Sequence, residues 1–440
     1  MMRKYRNATI FLTAVVLAAL PVRAAAAAPA PAAQQSQATS YTLPEYNSFQ
    51  GCQAEKDPQV KVKCLDGFMA QYPNSTLRQY VYLVYYQTYF QLKNYAKSIE
   101  YTDKLVALGD KADLATRLGA IQARIQLFPL AYNEKAEDAH DQLIKARDAA
   151  LTGLKLLPDL KKANPAVTDD QVKTLANALQ ISVGTVDLQL KDNNAAAEAF
   201  KAALGMNPTD ALTSYRLGLA YLQSTPAQSL DGFWALARAI NLKVSGADKV
   251  KDYLRKTMLN YEQPTCDTVV DAQLNELLQL AANSQDRPAS YSVPAAADLQ
   301  KIAQASTIVT LLGDLQAGGD KAKMTWLALC GAEFPEVVGK IIDVSATADA
   351  VTFHVFTDAD QDKMQNATTA NMEVHVTGQP EAARLAKDDP IRFSGAVVGY
   401  DAQPFLLHWD KCKVDPSVIP EKAEPGKRAP RKAPAKKPGA

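Results

Sequence analysis

The stretch AFKAALGMNPTD, Ala199 to Asp210, followed four residues later by YRLGLAY, Tyr215 to Tyr221, decides the reading of this chain. Alanines and large apolar residues run at helical spacing until Pro208, where a helix must stop, and a new apolar helix pattern then begins. Working outward from this junction, residue types return at a fixed interval. Gly184 and Gly218, Gln189 and Gln223, Phe200 and Trp234, and Ala203 and Ala237 are each 34 residues apart. The small residues fall where two helices approach closely. Phe200 and Trp234 supply the bulk that fills the gap to the next unit.

A 34-residue helix–turn–helix period with these small and bulky positions resembles the tetratricopeptide (TPR) family. The resemblance is closest over 177–244, as units 177–210 and 211–244, and looser over 45–176. An earlier unit at about 79–112 has Tyr82, Tyr89, Tyr95 and Leu105 at the bulky positions, with Tyr86 where glycine is usual. Three first helices end alike, at Gln91-Leu92-Lys93-Asn94, Gln189-Leu190-Lys191-Asp192 and Gln223-Ser224-Thr225-Pro226. Residues 113–157 read as two longer helices, from Leu118, Ile121 and Ile125 and then Ala139, Leu143, Ala146, Ala150 and Leu154. Helical patterns over Asp248 to Leu259 and Val269 to Ala282 are expected to cap the array.

The TPR resemblance implies a concave groove carrying Tyr80, Gln87, Gln91, Thr185, Gln189, Tyr215, Leu219 and Gln223. Glutamine recurs there at one repeat position. A row of amides suits an extended peptide backbone, which needs both donors and acceptors. Equally, glutamine is an ordinary exposed helix former. The set lacks the Lys/Arg clamp that some TPR proteins use on a C-terminal carboxylate. Tyr82, Tyr89, Phe200, Tyr221 and Trp234 are read as packing residues.

After about residue 285 the pattern changes. Asp286-Arg287-Pro288 and Ser292-Val293-Pro294 read as a linker, and Ala295 to Leu315 as a helix. Val337–Val344, Val351–Phe356, Met372–Val376, Ile391–Val398 and Phe405–Trp409 then alternate like half-buried strands. Five short strands suit a small closed barrel, which removes exposed sheet edges. Val338-Gly339-Lys340-Ile341 and the run Asp388 to Val397 resemble strands of OB-fold domains, and an open β-sandwich fragment is the competing arrangement. Trp409 and Tyr400 are the aromatic candidates for a ligand on this domain. His354, His375 and His408 alternate with apolar neighbours and so fall on the outer face. Their spacing places no metal.

The five cysteines lack CxxC spacing. The expected bridges are Cys52 with Cys64 and Cys330 with Cys412, leaving Cys266 free, although sequence does not fix connectivity. The chain has no GxSxG, HExxH, P-loop or GxGxxG signature. The reading therefore assigns no catalytic residue, no cofactor and no metal.

Both ends have their own chemistry. Arg3, Lys4 and Arg6 precede the apolar run Ile10–Leu20 and a small-x-small site at Val22-Arg23-Ala24, the layout of a signal peptide; an uncleaved anchor is the alternative. The expected organisation is signal peptide 1–24, flexible linker 25–44, helical solenoid 45–285, linker and helical connector 286–334, OB-like β domain 335–415 and disordered basic tail 416–440. The whole chain has a net charge of +1; removing four signal positives gives −3, and removing the +5 of Glu421–Ala440 leaves about −8 on the body. A mildly acidic body disfavours nucleic acid. The basic tail suits either an anionic envelope surface or simple solvation. An α+β chain of this kind reads as a non-enzymatic scaffold, exported across an inner membrane to a bacterial periplasm, that holds a protein partner in the groove. In the alternative, the barrel takes an oligosaccharide or other envelope polymer.

Overall fold

The computed structural model describes residues 41–347 and 349–421. The expected signal peptide, the linker up to residue 40 and the basic tail from residue 422 lie outside the described residues. By contacts the chain divides into two units. One holds the residues up to Val250 together with Ala281–Arg287, and the other holds Lys251–Leu280 and the residues from Pro288 onward.

The first unit is built on α1 (Leu43–Ala54), α2 (Pro58–Gln71), α3 (Arg78–Gln91), α4 (Tyr95–Ala107), α5 (Leu114–Ala131), α6 (Ala139–Ala163), α7 (Asp169–Leu190), α8 (Asn193–Met206), α9 (Ala211–Gln223) and α10 (Ser229–Asn241). From α3 onward each helix packs on the next. The first helices of successive pairs also touch, α5 on α7 and α7 on α9, which is solenoid packing.

Local chemistry sets the turns. In QLKN and QLKD the lysines, Lys93 and Lys191, take the left-handed conformation (φ 55° and 65°) that ends a helix. Asn94 and Asp192 then cap the next one, accepting from the Lys97 and Ala195 amides at 3.1 and 3.2 Å. After Pro208, Asp210 accepts from the amides of Leu212 and Thr213 and starts α9. Tyr86, standing where glycine is usual, still permits a close approach, because its carbonyl accepts from the fully buried Ser98 hydroxyl at 2.7 Å.

The second unit contains most of α11 (Ala247–Glu262) and α12 (Thr268–Asn283), which the sequence reading places at the end of the solenoid. Where one helix is expected over Ala295–Leu315, there are two, α13 (Ala296–Ala305) and α14 (Ile308–Ala317), and α15 (Gly319–Leu329) follows them. Thr307 caps α14 through the Thr310 amide, and Gly318 and Gly319, both at φ 71°, turn the chain into α15.

The strands are β1 (Glu333–Ala346), β2 (Ala350–Phe356), β3 (Met372–Thr377), β4 (Pro390–Ala402) and β5 (Phe405–Val414), with α16 (Gln361–Asn366) between β2 and β3. They close into a five-stranded barrel in the order β1-β2-β3-β5-β4, which excludes the open sandwich. Strands β3 and β5 pair in parallel, and the other neighbours in the barrel are antiparallel. Strands β4 and β5 outrun their expected ends because they form one long hairpin, paired from Phe393↔Val414 to Ala402↔Phe405. Val351, Phe353 and Val355 of β2 point inward with Phe393 and Val374.

Two expectations about the barrel are corrected. Trp409 is no surface aromatic: it is 2% exposed, with its ring edge-on to Phe334 and Phe393 at 5.4 and 5.3 Å. Cys330 is bonded to Cys266, not to Cys412. Cys412 faces the barrel interior beneath Gly395, where an added Cβ would fall 2.5 Å from the sulfur, so it is buried and free. Cys330 follows α15 beside the loop between α11 and α12, and a Cβ on its neighbour Gly331 would lie 3.1 Å from the Cys266 sulfur. Cys52 and Cys64 are bonded across the α1–α2 turn, with a Cα–Cα distance of 5.3 Å.

Candidate functional site

The eight residues of the expected groove all lie on first helices of pairs. Tyr80, Gln87 and Gln91 are on α3, Thr185 and Gln189 on α7, and Tyr215, Leu219 and Gln223 on α9. Since α7 and α9 touch, the last five lie on adjacent helices, while the first three belong to an earlier hairpin. Gln91, Gln189 and Gln223 are exposed and sit at the C-terminal ends of their helices. Tyr80, Gln87, Thr185, Tyr215 and Leu219 are half-buried. The Thr185 hydroxyl is spent within its own helix, donating to the Ile181 carbonyl at 2.7 Å.

A second arrangement in the same unit escapes the sequence reading. The irregular run Ser284–Arg287 lies against α8, α9 and α10. Arg238 donates to the Ser284 carbonyl at 2.6 Å, and the Trp234 indole donates to the Gln285 carbonyl at 3.3 Å. The Gln285 amide donates to the Leu204 carbonyl at 3.4 Å, and Arg287 pairs with Asp231 at 2.7 Å. Arg238 also donates to the Pro208 carbonyl at 3.0 Å, which fixes the guanidinium across the turn between α8 and α9. The helices thus hold a bent piece of chain, curved at Gln285 and Asp286 with the Ser284 hydroxyl donating to the Asp286 carbonyl at 2.7 Å, by two backbone carbonyls, one side-chain amide and one side-chain charge. The signal is present in the period. One repeat earlier, Asp231, Trp234 and Arg238 correspond to Ala197, Phe200 and Leu204, so the aromatic is kept while two apolar positions become charged.

On the barrel's outer face, register makes neighbours of residues that alternation alone leaves unrelated. Glu373 of β3 lies opposite both His354 of β2 and His408 of β5. Its two carboxylate oxygens lie 3.4 Å from His354 Nε2 and 3.2 Å from His408 Nδ1. His408 Nε2 is 3.0 Å from Asp401, completing a row of two imidazoles and two carboxylates across four strands. His375 is exposed and joins Thr352 instead, at 3.3 Å. Tyr400, next to Asp401 in sequence but on the other face of β4, is half-buried and meets the Trp326 ring edge-on at 5.1 Å and Phe405 at 6.4 Å. Among the described residues, no group of three or more His, Cys, Asp or Glu side chains has the arrangement to hold a metal ion. Among the same residues no helix is long and apolar enough to cross a membrane.

No family model matches the chain, and no curated protein matches it. Among solved structures, a thermophilic TPR protein of Thermus thermophilus is similar at 17% identity over 49% of this chain and 99% of that one, with a TM-score of 0.25. At that TM-score the likeness carries no weight for fold or function.

Proposed function

We propose that this chain is an exported, non-enzymatic scaffold that holds a protein partner on its helical array and offers the barrel as a second contact surface. The observation that carries this reading is the contact of α7 with α9, which sets the exposed Gln189 and Gln223 at the C-terminal ends of adjacent helices, with Leu219 and Tyr215 about one and two turns before Gln223 on α9. Exposed amides and a half-buried aromatic on rigid helices suit an extended peptide, whose backbone needs both donors and acceptors along its length. Export, with the periplasm as destination, is supported by the signal-like residues 1–24 and by two disulfides, which persist in oxidising compartments.

The test is in-cell crosslinking and pull-down of the mature chain beside Gln189→Ala/Tyr215→Ala and a chain lacking 421–440. A stoichiometric protein partner that is lost in the double variant is the expected result. A partner unaffected by it would move the contact off the groove.

A second reading, an oligosaccharide or other envelope polymer on the barrel, is favoured by one observation. The Trp326–Tyr400–Phe405 aromatic group and the polar row of Asp401, His408, Glu373 and His354 lie on opposite faces of the β4–β5 hairpin, two polar-or-aromatic surfaces on one small domain. Sugars are bound through aromatic faces and through carboxylate and imidazole hydrogen bonds, and the domain carries both kinds of group. Recovery of glycan in place of protein, lost on Tyr400→Ala, would establish it.

A further inference from the structure

The face of α10 that carries Asp231, Trp234 and Arg238 packs differently from its counterpart one period earlier. There Ala197, Phe200 and Leu204 are buried against Leu217 and Ala220 of α9, as one apolar repeat seats the next. On α10 the aromatic is retained and is 3% exposed, but the flanking positions are an acid and a guanidinium. Apolar positions that only had to seat a helix would gain nothing from charges. These charges have partners, all supplied by the irregular run Ser284–Arg287 and by the Pro208 turn.

The recognition is of a kind that transfers between chains. Two of the four contacts read backbone carbonyls, of the adjacent Ser284 and Gln285, which converge on α10 because the run bends at Gln285 and Asp286, a shape that a peptide of another chain can take. The other two read side chains, Arg287 on Asp231 and the Gln285 amide on the Leu204 carbonyl. The fit is loose as well: a cavity of about 60 Å³ remains between the run and its lining, which includes Lys201, Ser214, Tyr221 and Asp231. A cavity of that size exceeds the roughly 10–15 Å³ that holds a water, so the contact is not sealed like a core. The Asp231 and Arg287 side chains are 37% and 24% exposed, open to competition from solvent or from another guanidinium.

We propose that the cleft of α8, α9 and α10 is a peptide-reading site, and that Ser284–Arg287 fills it in cis as a displaceable occupant. The partner it fits is a short bent protein segment that presents an arginine to Asp231, a side-chain amide to the Leu204 carbonyl and two successive carbonyls to Arg238 and Trp234. While the chain's own segment is seated, that site is closed. This proposal does not depend on the Gln189/Tyr215 groove, and its test touches none of those residues.

The experiment titrates a fluorescein-labelled heptapeptide, AANSQDR, the sequence of Ala281–Arg287, into the full mature chain and into Arg287→Glu. The substitution sets two carboxylates against each other and unseats the cis segment, while the peptide keeps its arginine. The apparent affinity of an occluded site is reduced by the fraction of open molecules, so the variant should bind the peptide at least about tenfold tighter than the wild type. Arg287→Gln, which removes the cis charge without adding a carboxylate and leaves Asp231 to receive the peptide's arginine, should show a gain in the same direction, and a guanidinium midpoint close to that of the wild type controls for misfolding. In the wild type, saturating peptide should speed hydrogen exchange at the amides of 285–287. Equal peptide affinity in wild type and Arg287→Glu, or no change in wild-type exchange at saturating peptide, overturns the proposal.

Discussion

Gly184 of α7 lies against the ring of Phe200 on α8: a Cβ built on this glycine would meet the ring at 2.8 Å. Phe200 is fully buried and has nowhere to turn. Overpacking a core costs about 1–3 kcal/mol and the helix-propensity gain returns about 1 kcal/mol, so Gly184→Ala should destabilise the chain by up to about 2 kcal/mol. Gly205→Ala, near the end of the same hairpin, supplies the opposite sign. Nothing lies within 4 Å of its would-be Cβ, so only the propensity term acts and stability should rise by up to about 1 kcal/mol. Denaturant midpoints of the two variants check this. Equal effects would mean that the α7–α8 approach is not tight.

The glycines also mark how far sequence carries. The recurrence of Gly184 at Gly218 is local chemistry repeated, and a close helix crossing demands it wherever it falls, so the hairpins are legible from residue types alone. Strand alternation likewise announces β1 to β5, since the inner and outer faces of a pleat alternate by geometry. What a single chain does not announce is register and tertiary proximity. Glu373 meets both His354 and His408 only because β3 is paired between β2 and β5, and no spacing between residues 354, 373 and 408 encodes that. Cys266 meets Cys330 across 64 residues for the same reason, whereas Cys52 and Cys64 are brought together by one short turn. Trp409 reads as available because aromatic residues at a strand's end serve as ligands as readily as core, and only barrel closure puts it inside.

The cysteine arrangement gives a chemical prediction. Burial pushes the Cys412 thiol up to about 12, so almost none of it is thiolate at neutral pH. The native chain should show no reaction with iodoacetamide. Unfolding in guanidinium without reductant should expose one thiol per chain, and peptide mapping should place it at Cys412. Removing the bridges should differ in cost. The 64-residue separation of Cys266–Cys330 corresponds to about 4 kcal/mol of chain entropy and the 12-residue separation of Cys52–Cys64 to about 3 kcal/mol. A mapped Cys330–Cys412 peptide would refute the assignment.

Glu262, the last residue of α11, should make stability depend on pH. It is fully buried, and neither carboxylate oxygen has a partner at hydrogen-bond geometry. Burial raises its pKa from 4.5 to about 7, with the nearby Gln273 amide pulling weakly the other way. In the unfolded chain the group ionises near 4.5, while in the folded chain it stays protonated until about 7. Stability is therefore intact below about pH 4.5, falls as pH rises toward 7, and stays reduced above it. The full loss is about 3 kcal/mol, since each tenfold change in proton affinity between the two states is worth about 1.4 kcal/mol. Glu262→Gln should be more stable than wild type at pH 8 and indistinguishable from it at pH 4. Guanidinium midpoints at the two pH values decide this, and an equal difference at both would remove ionisation as the cause.

The pair Arg124–Asp103 ties α5 to α4 and tests how the solenoid tolerates charge. Arg124 is 3% exposed, and its Nε donates to Asp103 at 2.5 Å, while the Nη1 atom is buried without a partner. Asp103, at 42% side-chain exposure, is the accessible end of the pair. Removing it strands a buried guanidinium, whereas removing both charges leaves a site that an apolar side chain can fill. Asp103→Ala should therefore cost about 3–5 kcal/mol, the range for breaking a buried pair from one side. Asp103→Ala/Arg124→Met should recover most of that loss, because methionine fills the arginine stem's volume with no charge to desolvate. The double variant being the less stable of the two would show that the guanidinium is held by something beyond Asp103.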